Sequence, residues 1–295
     1  MNKTAIKNFA IWARNKLIAD VSYDARLIGI TEDGIAKPLP QSFGGTQFFD
    51  IGTAEPYSIS GEAVRQRDKL IEVIQQKEKD TDYKTAYQYV IEEVAYTWFN
   101  RFIALRFMEV NNYLPSHTRI FSDEDGNFKP EVLTDAVNLE IDGLDKELVL
   151  ELLEQQKNEQ LYQYIIITQC NALNEGLPEM FERIGGWTEL LFPKNLLRED
   201  SVIAHMVKDI PESDWNDQVQ IIGWLYQYYN SEPKDKVFAN LKKNVKISAV
   251  PQAHAIVVTF SHFMPENEPF DQLCRFTMFE SSANVTRKSV SAEQM

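Results

Sequence analysis

The chain has 295 residues, 44% of them hydrophobic, 12% aromatic and 25% charged, enough apolar material for a sizeable core in one or two domains. No apolar run approaches the roughly 20 residues a membrane-spanning helix needs, and Lys3, Lys7, Arg14 and Lys16 interrupt the apolar N-terminus, so the chain reads as cytoplasmic, with no membrane partner and a poor signal peptide. A net charge of −14 argues against a protein that wraps nucleic acid over its whole surface, while leaving room for a local basic face.

Residues 3 to 30 have the period of one long amphipathic helix, with Ile6, Phe9, Ala10, Ala13, Leu17, Val21 and Ala25 at three- and four-residue steps. The next stretch, 31 to 61, concentrates Gly, Pro, Ser and Asp, which predicts a long loop with a short strand at Gln47–Ile51. A loop of that length is uncommon inside a compact domain and is a candidate for a functional role. A polar helix follows over Glu62–Lys79, and Thr81 or Asp82 caps the next. Along that helix Tyr87, Ile91, Val94, Trp98, Phe102, Leu105 and Met108 form one stripe. Val90, Phe99 and Ile103 widen it beyond what a surface helix requires, so it is expected to be central to the fold and to end at Asn111–Asn112.

At about 100° per residue, Arg101 and Arg106 fall on opposite margins of this stripe, and Glu109 lies near its centre, three residues from Arg106. Two readings follow. In the favoured one the arginines snorkel from the edge of the core and Glu109 is paired. In the other, a guanidinium faces a DNA phosphate. Residues 116 to 131 read as a polar loop with a tight turn at Asp125–Gly126; its SDEDG run lacks the spacing and the terminal bidentate Glu of a calcium loop. From Asp145 the pattern gives one or two helices ending near Gly176–Pro178. Further helices follow Asp200–Ser201 and Ser213, and Ser231 caps a last one with Pro233 in its first turn. Lys242, Lys243 and Lys246 form the densest basic cluster, at the end of that helix, where lysines complement the helix dipole or meet a phosphate. From Ala249 the helical period is lost and the chain ends in a polar, Ser/Thr-rich tail.

Residues that carry chemistry are sparse. His117, His205, His254 and His262 are scattered, without the close-knit spacing of a zinc site. Cys170 and Cys274 lie far apart, which suits free thiols in a reducing compartment. No serine sits in a G-x-S-x-G elbow, and Gly44–Gly45 and Gly185–Gly186 are pairs that open no phosphate-binding helix. Glu72, Glu78 and Lys79 could be read as a metal-dependent nuclease set, but any charged helix offers as much.

Several long stretches together resemble one family. They are MNKTAIKNFAIWARNKL, YTWFNRFIALRFMEVNNYLP, YIIITQCNALNEGLPEMFE, TELLFPKNLL and IIGWLYQYYNSEPKDKVFANLKKNVKI, and they look like the leading portion of the PglX adenine-specific DNA methyltransferases of BREX phage-defence systems. The resemblance spans about residues 1 to 248. It implies a full-length relative that transfers a methyl group from S-adenosylmethionine to adenine N6, in duplex DNA and alongside other BREX proteins. Such an enzyme needs a glycine-rich cofactor loop and an Asn-Pro-Pro-Tyr motif to hold a flipped base. Neither occurs here, so no catalytic, cofactor-binding or metal-binding residue carries over.

The fold expected is mainly α: a multi-helix domain with long loops over 1–248, followed by an irregular tail over 249–295 that reads as a frame-shift or gene-break product. The function expected is that of a truncated, non-catalytic helical module of the methyltransferase, with no cofactor of its own. Candidate DNA contacts are Arg101, Arg106, Lys242, Lys243 and Lys246. The alternative is a protein-interaction scaffold, reached through the loop at 31–61, that binds no DNA.

Overall fold

The computed structural model describes residues 1–184 and 186–231. The mainly α class is borne out: helices carry the described residues, with only short paired strands between the first two. Helix α1, Lys3–Leu27, starts where the Asn2 side chain accepts the Ala5 amide. It buries the whole predicted stripe from Ile6 to Ala25. Helix α2, Glu62–Glu78, is polar outside and sets Leu70 and Ile74 inward. Helix α3, Tyr83–Val110, is capped by Asp82, whose carboxylate accepts both the amide and the hydroxyl of Thr85. Helix α4, Glu131–Thr134, is a single turn. The stretch after Asp145 resolves into two helices, α5 at Lys146–Glu154 and α6 at Asn158–Leu173, and the β-branched run Tyr164–Thr168 lies inside α6. A short turn, α7 at Trp187–Leu190, precedes α8, Val202–Asp209, which Ser201 caps by accepting the Ala204 amide, and α9, Gln220–Tyr229.

Helix α3 is the axis of the assembly. It packs against α1 and α2; α1 also meets α8 and α9, and α6 gathers α4 and α5. From Trp98 to Glu109 every α3 residue is buried, so neighbours close around the helix on all sides rather than along one stripe. Aromatic side chains fill the space between elements. Phe192 sits edge-on to Trp98 at 4.6 Å, Phe121 edge-on to Phe102 at 6.2 Å, and Tyr229 lies 4.2 Å from Phe99. One hydrophobic cluster runs from Ile6 to Tyr229 through all of them.

Two expectations need correction. The stretch 31–61 is two antiparallel hairpins: β1 (Ile30–Thr31) pairs with β2 (Gly34–Ile35), and β3 (Thr46–Phe49) with β4 (Tyr57–Ser60) in the register Thr46↔Ser60 and Phe49↔Tyr57. Arg67 of α2 laces this segment to the body. Its guanidinium donates to the carbonyls of Ile28 and Ala36, at 2.7 and 2.8 Å, and lies 4.5 Å over the Phe49 ring. These tertiary bonds satisfy backbone groups that a free loop would leave to water. The second correction concerns α9, which begins at Gln220 and not just after Ser213. Residues 212–214 form one 3-10 turn, and Asp217 takes a left-handed φ of 53° that breaks any continuous helix. Asn111, the C-cap of α3, holds that break in place: its amide donates to the Trp215 carbonyl at 3.1 Å and its oxygen accepts the Asp217 amide at 2.7 Å. The expected helix after Ser231, the boundary at 248 and the tail lie outside the described residues.

Candidate functional site

The polar groups that the sequence places on the margins of α3 converge, in the fold, on its C-terminal end. Arg106 is completely buried. One guanidinium nitrogen bonds Glu109 and, at 2.9 Å, the Ser122 hydroxyl; the other donates to Glu212 at 3.1 Å. Glu212 also accepts from Arg119 at 2.5 Å, and Arg119 donates to Ser122 at 3.0 Å. The second oxygen of Glu109 accepts the amides of Ile120 and Phe121 at 2.7 and 2.8 Å. Tyr162 of α6 donates to the Ile120 carbonyl at 3.0 Å. The network thus ties three other pieces of chain, the segment 119–122, Glu212 and Tyr162 of α6, to one turn of α3. Burial pushes the Glu109 carboxyl up, while Arg106 and the two amides pull it back toward the ionised form.

Beside this lock lies a cavity of about 200 Å³, lined by Glu109, Asn112, His117, Arg119, Glu124 and Glu131. His117 and Asn112 both adopt left-handed backbone, at φ 52° and 56°, and their side chains meet at 3.0 Å. The charged walls are largely engaged already: Glu109 by Arg106, Arg119 by Glu212, and Glu131 by the Arg119 amide at 3.0 Å. The arrangement holds structure. Glu109, Arg119 and Glu131 are thereby committed to joining neighbouring segments rather than to a ligand.

Arg101 is also inside. It donates to the Glu182 carbonyl at 2.8 Å and lies 5.1 Å over the Trp98 ring, and burial lowers its guanidinium from the ordinary value. Neither Arg101 nor Arg106 snorkels, and neither presents a donor to a phosphate in this conformation. The wheel placed both correctly relative to the stripe. What it could not contain are the segments 119–122, 181–184 and 212–217 that cover those margins. Glu212 stands 106 residues from Arg106 and no spacing announces it. Lys242, Lys243, Lys246, His254, His262 and Cys274 lie outside the described residues.

A second buried charge sits where α1 ends. The Asp24 carboxylate faces Lys194 at 3.4 Å, and Lys194 donates to the Tyr57 hydroxyl at 3.0 Å. Burial pushes Asp24 up to about 6, against the pull of Lys194. Among the described residues no three His, Cys, Asp or Glu side chains are grouped to hold a metal ion. In the SDEDG loop, Asp123 spends its carboxylate on the backbone and side chain of Asn127. Glu72, from the set Glu72, Glu78 and Lys79, is exposed and pairs with Lys69. Burial pushes the Cys170 thiol up to about 12, so it is no nucleophile in the folded chain. The pair Gly44–Gly45 sits in an open turn between Phe43 and Thr46 with no helix behind it. Among the described residues, no helix is long and apolar enough to cross a membrane.

Comparison with known proteins agrees with the resemblance carried by the long motifs. The chain is 40% identical over 264 residues to the adenine-specific methyltransferase PglX of Lacticaseibacillus casei (strain Zhang), covering 85% of this chain and 21% of that protein. It is 36% identical over 260 residues to the adenine-specific methyltransferase BrxX of Escherichia coli O9:H4 (strain HS), covering 85% of this chain and 20% of that one. The chain therefore spans about a fifth of the length of the curated relatives it matches. No family model matches it.

Proposed function

We propose that the chain is a non-catalytic helical module of a PglX-type adenine-specific DNA methyltransferase, a BREX component, and that it braces the catalytic core of the full-length protein. What carries the reading is a relation of lengths: nearly the whole of this chain matches a minor part of each relative. The geometry supports it. A helical body that spends Arg106, Glu109 and Glu212 on joining its own segments suits a support better than an active site. In the full-length protein S-adenosylmethionine supplies the methyl group, adenine N6 in duplex DNA receives it, and other parts of the polypeptide hold both. This chain alone binds no S-adenosylmethionine and transfers nothing.

The test is complementation. The Lacticaseibacillus casei relative, deleted for its matching segment, is assayed with radiolabelled methyl donor and DNA of many sequence contexts, with and without this chain. The expected outcome is no incorporation by the chain alone and recovered methylation or solubility when it is added back. Incorporation by the chain alone, or a deletion variant with full activity, overturns the proposal.

The second reading, an interaction scaffold with no DNA affinity, draws support from the net charge of −14 and from the burial of Arg101 and Arg106. Phosphate-driven binding falls steeply with salt. Retention of DNA at low salt and its loss at higher salt favours the first reading, and no retention at either favours the second.

A further inference from the structure

Helix α5 packs Leu148, Val149, Leu152 and Leu153 on the core and leaves one apolar side chain, Leu150, outside it. Its nine residues include Leu148, Val149, Leu150, Leu152 and Leu153. Val149 and Leu152 are buried, whereas Leu150 is 45% exposed. Val137, 48% exposed, lies in the 3-10 turn Ala136–Asn138 that packs against α5. Lys146 links the two elements that carry them. Lys146 donates its ammonium to the carbonyls of Val137, at 2.9 Å, and Leu139, and Leu150 stands one helical turn beyond Lys146.

The surroundings are acidic and uncompensated. Glu140, Asp142, Glu147, Glu151 and Glu154 are exposed, and among the described residues none of them enters an ion pair; Glu151 meets only the neutral Gln155 side chain. Lys146, the sole cation on α5, is turned onto backbone carbonyls instead. Glu147 and Glu151 face each other one turn apart, a like-charge pair that costs the isolated helix stability. An apolar pair rimmed by unmatched carboxylates has the make-up of an interaction surface whose counter-charges come from elsewhere.

We propose that this face docks a basic polypeptide segment bearing an aliphatic or aromatic anchor. The anchor seats between Val137 and Leu150, and the lysines or arginines meet Glu140, Asp142, Glu147 and Glu151. A second copy of this chain would bring like charge to like charge, and duplex DNA would be repelled outright. The inference stands apart from the methyltransferase reading, since it is measured with no methyl donor and no DNA present.

The experiment titrates the full chain into a fluorescent peptide of repeating Lys-Lys-Leu, with repeating Lys-Lys-Ser as the equal-charge control. Val137→Ser with Leu150→Ser tests the anchor site, and Glu147→Gln with Glu151→Gln tests the rim. Glu72→Gln with Glu78→Gln, an equal loss of charge on α2, is the comparison. Glu72, Glu147 and Glu151 are exposed, Val137 and Leu150 are nearly half exposed, and Glu78 is partly buried, so circular dichroism and thermal melting verify that each variant folds. The expected result is tighter binding of the leucine peptide, an advantage lost about tenfold in the Val137/Leu150 variant, and weaker binding of both peptides by the rim variant than by the α2 variant. Equal binding by wild type and the Val137/Leu150 variant overturns the proposal. So does self-association of the chain that Leu150→Ser abolishes, which would make a second copy the occupant.

Discussion

Replacing Arg106 with leucine separates a structural from a DNA-binding role for this guanidinium. In the fold the substitution leaves the Glu109 carboxylate buried with no cation, and strips Ser122 and Glu212 of a donor. Breaking a buried pair by removing one partner costs about 3–5 kcal/mol. That is a large share of the ~5–15 kcal/mol by which a native domain is stable. The amides of Ile120 and Phe121 still hold the carboxylate, so the loss belongs toward the lower end. For a body of this size it corresponds to a fall in Tm of roughly 6–20 °C. The assay is urea and thermal denaturation followed by circular dichroism. Arg106→Leu combined with Glu109→Gln should recover much of the deficit, because glutamine keeps an acceptor for the two amides and carries no charge to strand. A single variant within about 1 kcal/mol of wild type, the ordinary range for surface substitutions and small changes, would refute the buried lock. Unchanged stability with weakened DNA retention would instead restore the phosphate reading.

Asp24 provides a pH test. Its folded carboxyl, at about 6, lies above the unfolded value of 3.8, so its contribution to stability is fully present below about 4 and is lost as pH rises through 6. Asp24→Asn should therefore match wild type near pH 4 and exceed it by ~2–3 kcal/mol at pH 7–8, read from urea midpoints across that range; a constant difference at all pH values refutes the assignment. Gly29 holds φ +73°, and an added Cβ would fall 2.8 Å from the Phe49 ring, so Gly29→Ala should cost ~2–3 kcal/mol by backbone strain and displacement of that ring. Thermal melting checks this, and a cost below about 0.5 kcal/mol counts against the close approach. Cys170, buried with its thiol pushed up to about 12, should resist a thiol-specific reagent in the native chain and react once urea unfolds it. Mass mapping of the labelled site gives the readout.

Helical elements were legible in the sequence wherever burial follows a single face. The stripe of α1 from Ile6 to Ala25, the cap at Asp82 and the cap at Ser201 all stand where local chemistry puts them. The stretch 31–61 was less legible because its strands are two to four residues long, and Arg67, thirty-odd positions on, supplies the donors that hold them. The start of α9 was missed for a related reason: Ser213 and the residues after it are good helix openers, but Asn111, on another helix, takes hold of Trp215 and Asp217 and breaks the run.

By itself, then, the sequence determined a mainly α body and its kinship, because helical period and long motifs are written in neighbouring residues. The candidate site was decided elsewhere. Arg101 and Arg106 sit on the margins of a stripe that any helical wheel can draw, and whether a margin faces water or protein depends on what covers it. Here the covering pieces come from as far as 106 residues along the chain, and once Glu109, Ser122 and Glu212 close around it a surface guanidinium becomes an interior one. Burial is a property of the assembled layers, and no local pattern contains it.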